Sequence, residues 1–145
     1  MAKPLNPTIV LLVYGFLLWL TTFLVSWVLK DALGVPGKPD VVSNGYLLFE
    51  SLIPVALAAL TLWYLYLHFK GVPSGFAKAG LIAGVVWLVM NILLDQLLFA
   101  WGPMQMSFGR YMCDIGFTYL LIPVITTGAG YLMDRAASRF PQPGR

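Results

Sequence analysis

Residues Ala79–Trp101 read AGLIAGVVWLVMNILLDQLLFAW. Asn91, Asp95 and Gln96 interrupt an otherwise apolar run that is long enough to cross a bilayer, which takes about 20 residues. In hydrocarbon such a run is helical, because every backbone N–H and C=O needs a partner within the segment. A carboxylate inside it is costly and normally faces a partner, a cavity or an ion path. This stretch therefore sets both the expected fold class and the expected site.

Three more runs of the same kind accompany it, at Ile9–Leu29, Tyr46–Leu67 and Tyr111–Met133. The expected fold is an all-α integral membrane protein, a four-transmembrane-helix bundle occupying residues 1–145 as one domain. Gly34, Pro36, Gly37, Pro39, Asn44 and Gly45 punctuate the first connection. Gly71, Pro73, Ser74 and Gly75 form the second, and Gly102, Pro103 and Gly109 the third. Residues 134–145, with Pro141, Pro143 and Gly144, read as a flexible basic tail.

The composition agrees. The 145 residues are 59% hydrophobic and 10% charged, whereas soluble domains carry about 25% charged residues. A chain this short cannot bury so much apolar surface in its own core, so lipid must cover the excess. The net charge of +3 comes from nine Lys and Arg in loops and tails. It reads as a topology signal, with no nucleic-acid footprint. Cys113 is the one cysteine, which excludes an intrachain disulfide. Ile9–Leu29 exceeds a signal h-region of roughly 7–15 residues and lacks a small-x-small cleavage site after it, so it is expected to stay in the membrane as an anchor.

Basic residues orient the bundle. Lys3, Lys70, Lys78, Arg135, Arg139 and Arg145 fall on one side, and Lys30, Lys38 and Arg110 on the other. The excess places both termini in the cytoplasm of a plasma or inner membrane. Trp27, Trp63, Trp101, Tyr46, Tyr66, Tyr111 and Tyr131 sit near the expected helix ends, as interfacial aromatics do.

An offset of 69 residues aligns Leu12 with Leu81, Gly15 with Gly84, Leu24 with Leu93 and Leu29 with Leu98. It also aligns the quartet Leu52–Val55 with Leu121–Val124, Thr22 with Asn91, and Ser26 with Asp95. Leu and Val match easily in membrane segments; the shared Leu-Ile-Pro-Val is harder to obtain by chance. A duplication would give two parallel helical-hairpin repeats related by rotation about the membrane normal, with Pro54 and Pro123 in equivalent kinks.

With the termini inside, Glu50 lies about 6 Å below Tyr46, Asp95 about 9 Å below Trp101 and Asp114 about 5 Å below Tyr111, at 1.5 Å of rise per residue. Ser26 shares that level, and Asn91 lies one turn below Asp95 on the same face. One helix each thus brings Ser26, Glu50, Asp95 and Asp114 to a single layer. Carboxylates held together need a cation or a proton among them, and hard oxygen ligands suit Na⁺, Ca²⁺, Mg²⁺ or a proton. The competing reading is structural: Asp114 pairs with Arg110 one turn before it, polar neighbours hold Asp95, and Glu50 snorkels to the surface.

Met104, Met106, Met112 and Cys113 offer soft sulfur ligands of the kind that suits Cu(I), although methionine is also ordinary apolar filler. His68 is the one histidine, so a single chain cannot supply bis-His haem ligation. The sequence carries no Walker loop, HExxH, CxxC or Gly-x-Ser-x-Gly signature, and an intramembrane enzyme built on the acidic residues is a third alternative. No cofactor is expected.

Taken together, the residues point to a small transporter or channel-type protein that handles a cation or small cationic solute at Glu50, Asp95 and Asp114. Its expected surroundings are the lipid bilayer and a homo-oligomeric or membrane-complex partner. The rival is an accessory or structural subunit without transport activity.

Overall fold

A computed structural model describes residues 6–35, 43–101 and 105–139. Three long helices come first: α1 (Pro7–Ala32), α2 (Asn44–Phe69) and α3 (Phe76–Trp101). They are followed by a short helix α4 (Phe108–Asp114), a 3₁₀ segment (Gly116–Leu120) and α5 (Leu121–Arg139). No strand occurs among the described residues. The protein is an all-α four-helix bundle with four segments long and apolar enough to cross a membrane. Trp27, Val55, Leu97 and Val124 are among its large exposed apolar side chains, as expected of surfaces that meet lipid.

Side chains set the helix starts. Asn6 Oδ1 accepts the Thr8 N–H at 3.0 Å, with Pro7 in the first turn, and Ser43 Oγ accepts the Tyr46 N–H at 3.1 Å. At the end of α1, Val35 N–H bonds to Lys30 O and Gly34 N–H to Asp31 O. Gly34 has φ +61, completing a Schellman stop that only glycine adopts without strain. The start of α3 is capped from a distance. Asp134 of α5 accepts Phe76 N–H at 2.9 Å and Ala77 N–H at 2.8 Å through its two oxygens. Residues 134–139, expected as flexible tail, are thus helical, and Asp134 is fixed to α3 because orphan N–H groups attract a carboxylate. Residues 140–145 lie outside the described residues.

One end of the bundle carries Lys70, Lys78, Asp134, Arg135 and Arg139 and is called the basic end. The opposite end carries Lys30, Asp31, Glu50, Arg110 and Asp114 and is called the acidic end. Helix α3 packs most closely on α5, α1 packs on α2 and on α3, and α2 packs on α5; α2 and α3 touch sparingly. The tight α3–α5 seam is made by glycines. A Cβ on Gly84 would strike Pro123 and Thr126, one on Gly80 would strike the Thr126 backbone, and one on Gly130 would strike the Phe76 backbone. Leu18, Leu57, Leu65, Trp87 and Ile122 fill the centre.

The positions aligned by the 69-residue offset share burial. Gly15, Leu18 and Thr22 are buried on α1, and so are Gly84, Trp87 and Asn91 on α3. Leu57 and Thr61 are buried on α2, and so are Thr126 and Gly130 on α5. Aligned helices are also neighbours, α1 beside α3 and α2 beside α5. That is the pattern of two parallel hairpins laid side by side, a displacement in place of the rotation about the membrane normal expected above. The two prolines differ as well. Pro54 lies within the unbroken α2, whereas Pro123 sits in the first turn of α5, directly after the 3₁₀ segment.

The fourth span is the main departure from expectation. Tyr111–Met133 was expected as one helix, but the path breaks at Ile115 (φ −132, ψ −50) and tightens to 3₁₀ over Gly116–Leu120. Proline has no N–H to donate to Tyr119 O, and its ring crowds that carbonyl. Gly116 sits tightly against Met112 and Tyr111. The break at Ile115–Gly116 therefore falls about two turns before Pro123, and the 3₁₀ segment runs from that glycine up to the turn that holds the proline.

Candidate functional site: a buried carboxylate held by three aromatic donors

Asp95 is 4% exposed. Trp19 Nε1–H of α1 donates to its Oδ1 at 2.8 Å. Two phenols donate to its Oδ2, Tyr119 of the 3₁₀ segment at 2.8 Å and Tyr111 of α4 at 3.1 Å. Tyr111 is fully buried and Tyr119 is 6% exposed. All three donors are neutral, and among the described residues Asp95 has no cationic partner. Hydrogen bonds to an ionised acceptor are the stronger kind, and none of the three donors carries a charge that would balance an ionised Asp95.

The break in the fourth span builds this cage. In a continuous α-helix, residues 111 and 119 would stand about 12 Å apart along the axis and point about 80° apart. The irregular segment re-aims them, so that both hydroxyls reach one carboxylate oxygen. Register with α1 is set on the other side. Trp19 donates from α1 to Asp95 on α3, and Trp87 Nε1–H donates from α3 to Leu11 O on α1 at 2.9 Å; both pairs are 76 residues apart. Gly15 makes room for the Trp87 ring, since a Cβ there would lie 2.7 Å from Trp87 Cδ1.

Asn91 is fully buried one turn from Asp95. Its Nδ2 donates to Trp87 O at 2.8 Å, and its Oδ1 has no protein partner. The side chains of Thr22, Thr61 and Gln96 also hold buried polar atoms without a partner. Ser26 is half-buried on α1, and among the described residues no hydrogen bond joins it to Asp95.

Glu50 and Asp114 are not in the cage. Both are exposed at the acidic end. Asp114 pairs with Arg110 at 3.3 Å, with side chains 47% and 70% exposed. Tyr46, one turn before Glu50, lies close enough to feel Glu50, Asp114 and Arg110 together. The expected single acidic layer is therefore split into one buried carboxylate and an acidic rim on the surface. The cause is helical phase: equal depth does not place a residue on the inward face.

The soft-metal set is not assembled. Met106 and Met112 pack against the apolar core, while Cys113 is exposed. Met104 lies outside the described residues. No cluster of three or more His, Cys, Asp or Glu suited to a metal occurs among the described residues.

Trp19, Tyr111 and Tyr119 were not anticipated as site residues. A signal for two of them was present. Trp19 and Tyr119 lie well inside their expected spans, away from the interfacial belt. A buried indole N–H or phenol O–H needs an acceptor, and Asp95 was the one carboxylate deep enough to provide it. No protein family, curated protein or solved structure matched the chain.

Proposed function

We propose that this chain is a small membrane transporter or channel-type protein, working as a homo-oligomer, whose cation-responsive group is Asp95. The observation that carries the reading is a membrane-depth carboxylate with three neutral donors and, among the described residues, no countercharge. Ionisable groups at such depth are expensive to keep and usually mark an ion or proton path. Asn91, with an unpartnered carbonyl oxygen on the same face, is the second ligand. Glu50 and Asp114 act as surface acids that concentrate cations near the acidic end, and Ser26 is a minor contributor. The basic end faces the cytoplasm, with both termini, in agreement with the charge asymmetry.

The test is Asp95→Asn in proteoliposomes. The amide keeps the shape of the carboxylate, can still accept from Trp19, and can donate to the two phenol oxygens. Loss of cation- or pH-driven flux in a folded variant supports transport. Absence of flux for any common cation in the wild type, with Asp95→Asn equally or more stable, rejects it.

That second outcome would favour an accessory or structural subunit. The observation on its side is that Asp95 already ties α1, α3, α4 and the 3₁₀ segment together, while the other two acids face outward. Topology is tested separately. In a Cys113→Ser background, Lys38→Cys is expected to react with an impermeant thiol reagent in intact cells and Ser74→Cys is not; the reverse pattern overturns the orientation.

A further inference from the structure

The basic end presents a second feature, independent of Asp95. Among the described residues its charged side chains are Lys70, Lys78, Arg135, Arg139 and Asp134. Asp134 is occupied in capping α3, which leaves the four cations without a carboxylate partner there. Two cations rest on tyrosine faces one helical turn earlier: Arg135 lies 5.3 Å from the Tyr131 ring centre and Lys70 lies 4.5 Å from that of Tyr66. This is the posture of long basic side chains held at an interface.

On α5 the cations join an apolar track. Leu132, Arg135, Ala136 and Arg139 line a shallow depression. Toward the bilayer the same face continues through Gly128 to Val124, in steps of about one turn. A Cβ on Gly128 would meet nothing within 4 Å, and Val124 and Leu132 are 68% and 66% exposed. An open apolar track ending in two arginines matches one amphiphile, with an acyl chain along the track and a phosphate at the guanidinium groups.

We propose that the α5 face formed by Val124, Gly128, Leu132, Arg135 and Arg139 is a binding site for an anionic phospholipid. The arginines take the headgroup phosphate, and Leu132 with the gap at Gly128 seats the first part of an acyl chain. Lys70 and Lys78 add to the positive potential of that end. Anionic lipid is the matching occupant because the face offers two cations, no free carboxylate and an apolar approach from the membrane.

Native mass spectrometry of the full chain, loaded with equimolar phosphatidylglycerol and phosphatidylcholine, tests this. The wild type is expected to retain phosphatidylglycerol preferentially. Arg135→Gln with Arg139→Gln should weaken that preference by about twenty-five-fold, given roughly fivefold for each basic residue near a charged headgroup. Lys30→Gln at the acidic end should leave it unchanged. Gly128→Leu, whose Cβ meets nothing within 4 Å, should lower phosphatidylglycerol retention while the bundle stays folded. Equal retention of the two lipids by the wild type overturns the proposal. So does undiminished phosphatidylglycerol retention in the double arginine variant or in Gly128→Leu.

Discussion

Asp95 and Asp114 both lie toward the acidic end, and each is held by residues near the break in the fourth span. Asp95 is 4% exposed and receives three hydrogen bonds from aromatic side chains with no charge of their own. Asp114 is exposed and faces Arg110, one turn earlier on the same short helix. The first carboxylate is bound by tertiary structure from three other segments, and the second by its own helix. Water screens the rim pair, so its contribution is small. The cage is buried, so each lost partner is felt in full.

The largest effect should come from removing the acceptor. Asp95→Leu strands the N–H of Trp19 and the hydroxyls of Tyr111 and Tyr119, and should destabilise the bundle by on the order of 3 kcal/mol or more in mixed-micelle unfolding. A loss below about 1 kcal/mol would mean that the donors find other partners, and the contrast with the rim would collapse.

Removing one donor comes next. Tyr119→Phe and Trp19→Phe each delete a hydrogen bond of 2.8 Å to the carboxylate, and each should cost about 1.5–3 kcal/mol. Tyr111→Phe, with the longer bond of 3.1 Å, should fall at the lower end of that range. Double-mutant cycles with Asp95→Asn would sharpen the comparison, since a shared acceptor predicts non-additive losses.

A packing test separates the cage from the seam below it. Gly84→Leu drives a side chain into Pro123 and Thr126, and should destabilise by about 1–3 kcal/mol through overpacking. It should also shift the 3₁₀ segment, read as altered tyrosine fluorescence. An unchanged spectrum would show that the cage is anchored without the α3–α5 seam.

The rim should respond least. Asp114→Asn and Glu50→Gln are each expected to change stability by less than about 0.5 kcal/mol, with any effect fading at high salt. A larger loss in detergent-purified protein would mean that the rim is buried against another copy or a partner.

How much of this was legible depended on the kind of evidence each feature left in the chain. Four spans were readable because the length and polarity of a membrane helix are fixed by the bilayer, and the first three helices fall within a few residues of the expected runs. Asp95 stood out as a charge in hydrocarbon. The Asp114–Arg110 pair was visible in the i,i+4 spacing only as the competing reading, while Asp114 was expected in the acidic layer. The break at Ile115–Leu120 was not anticipated, although Gly116 and Pro123 mark its limits. A membrane segment with one proline usually stays helical, and nothing local distinguishes a tolerated proline such as Pro54 from one that follows a disrupted path.

By itself the sequence determined that this is a four-helix membrane bundle, where the first three crossings begin and end to within a few residues, and that Asp95 lies inside an apolar run. Those properties follow from local chemistry: the transfer energy of side chains, the backbone's need for internal hydrogen bonds, and the capping residues. Tertiary structure alone decided that Glu50 and Asp114 face outward while Asp95 faces inward, and that Trp19, Tyr111 and Tyr119 converge on it. It also decided that Asp134 closes the start of α3. The reason is geometric. Depth along a helix can be counted in residues, but the direction a side chain faces depends on how each helix is rotated against its neighbours, and the packing of the α3–α5 seam and the Trp87–Leu11 contact fix that rotation.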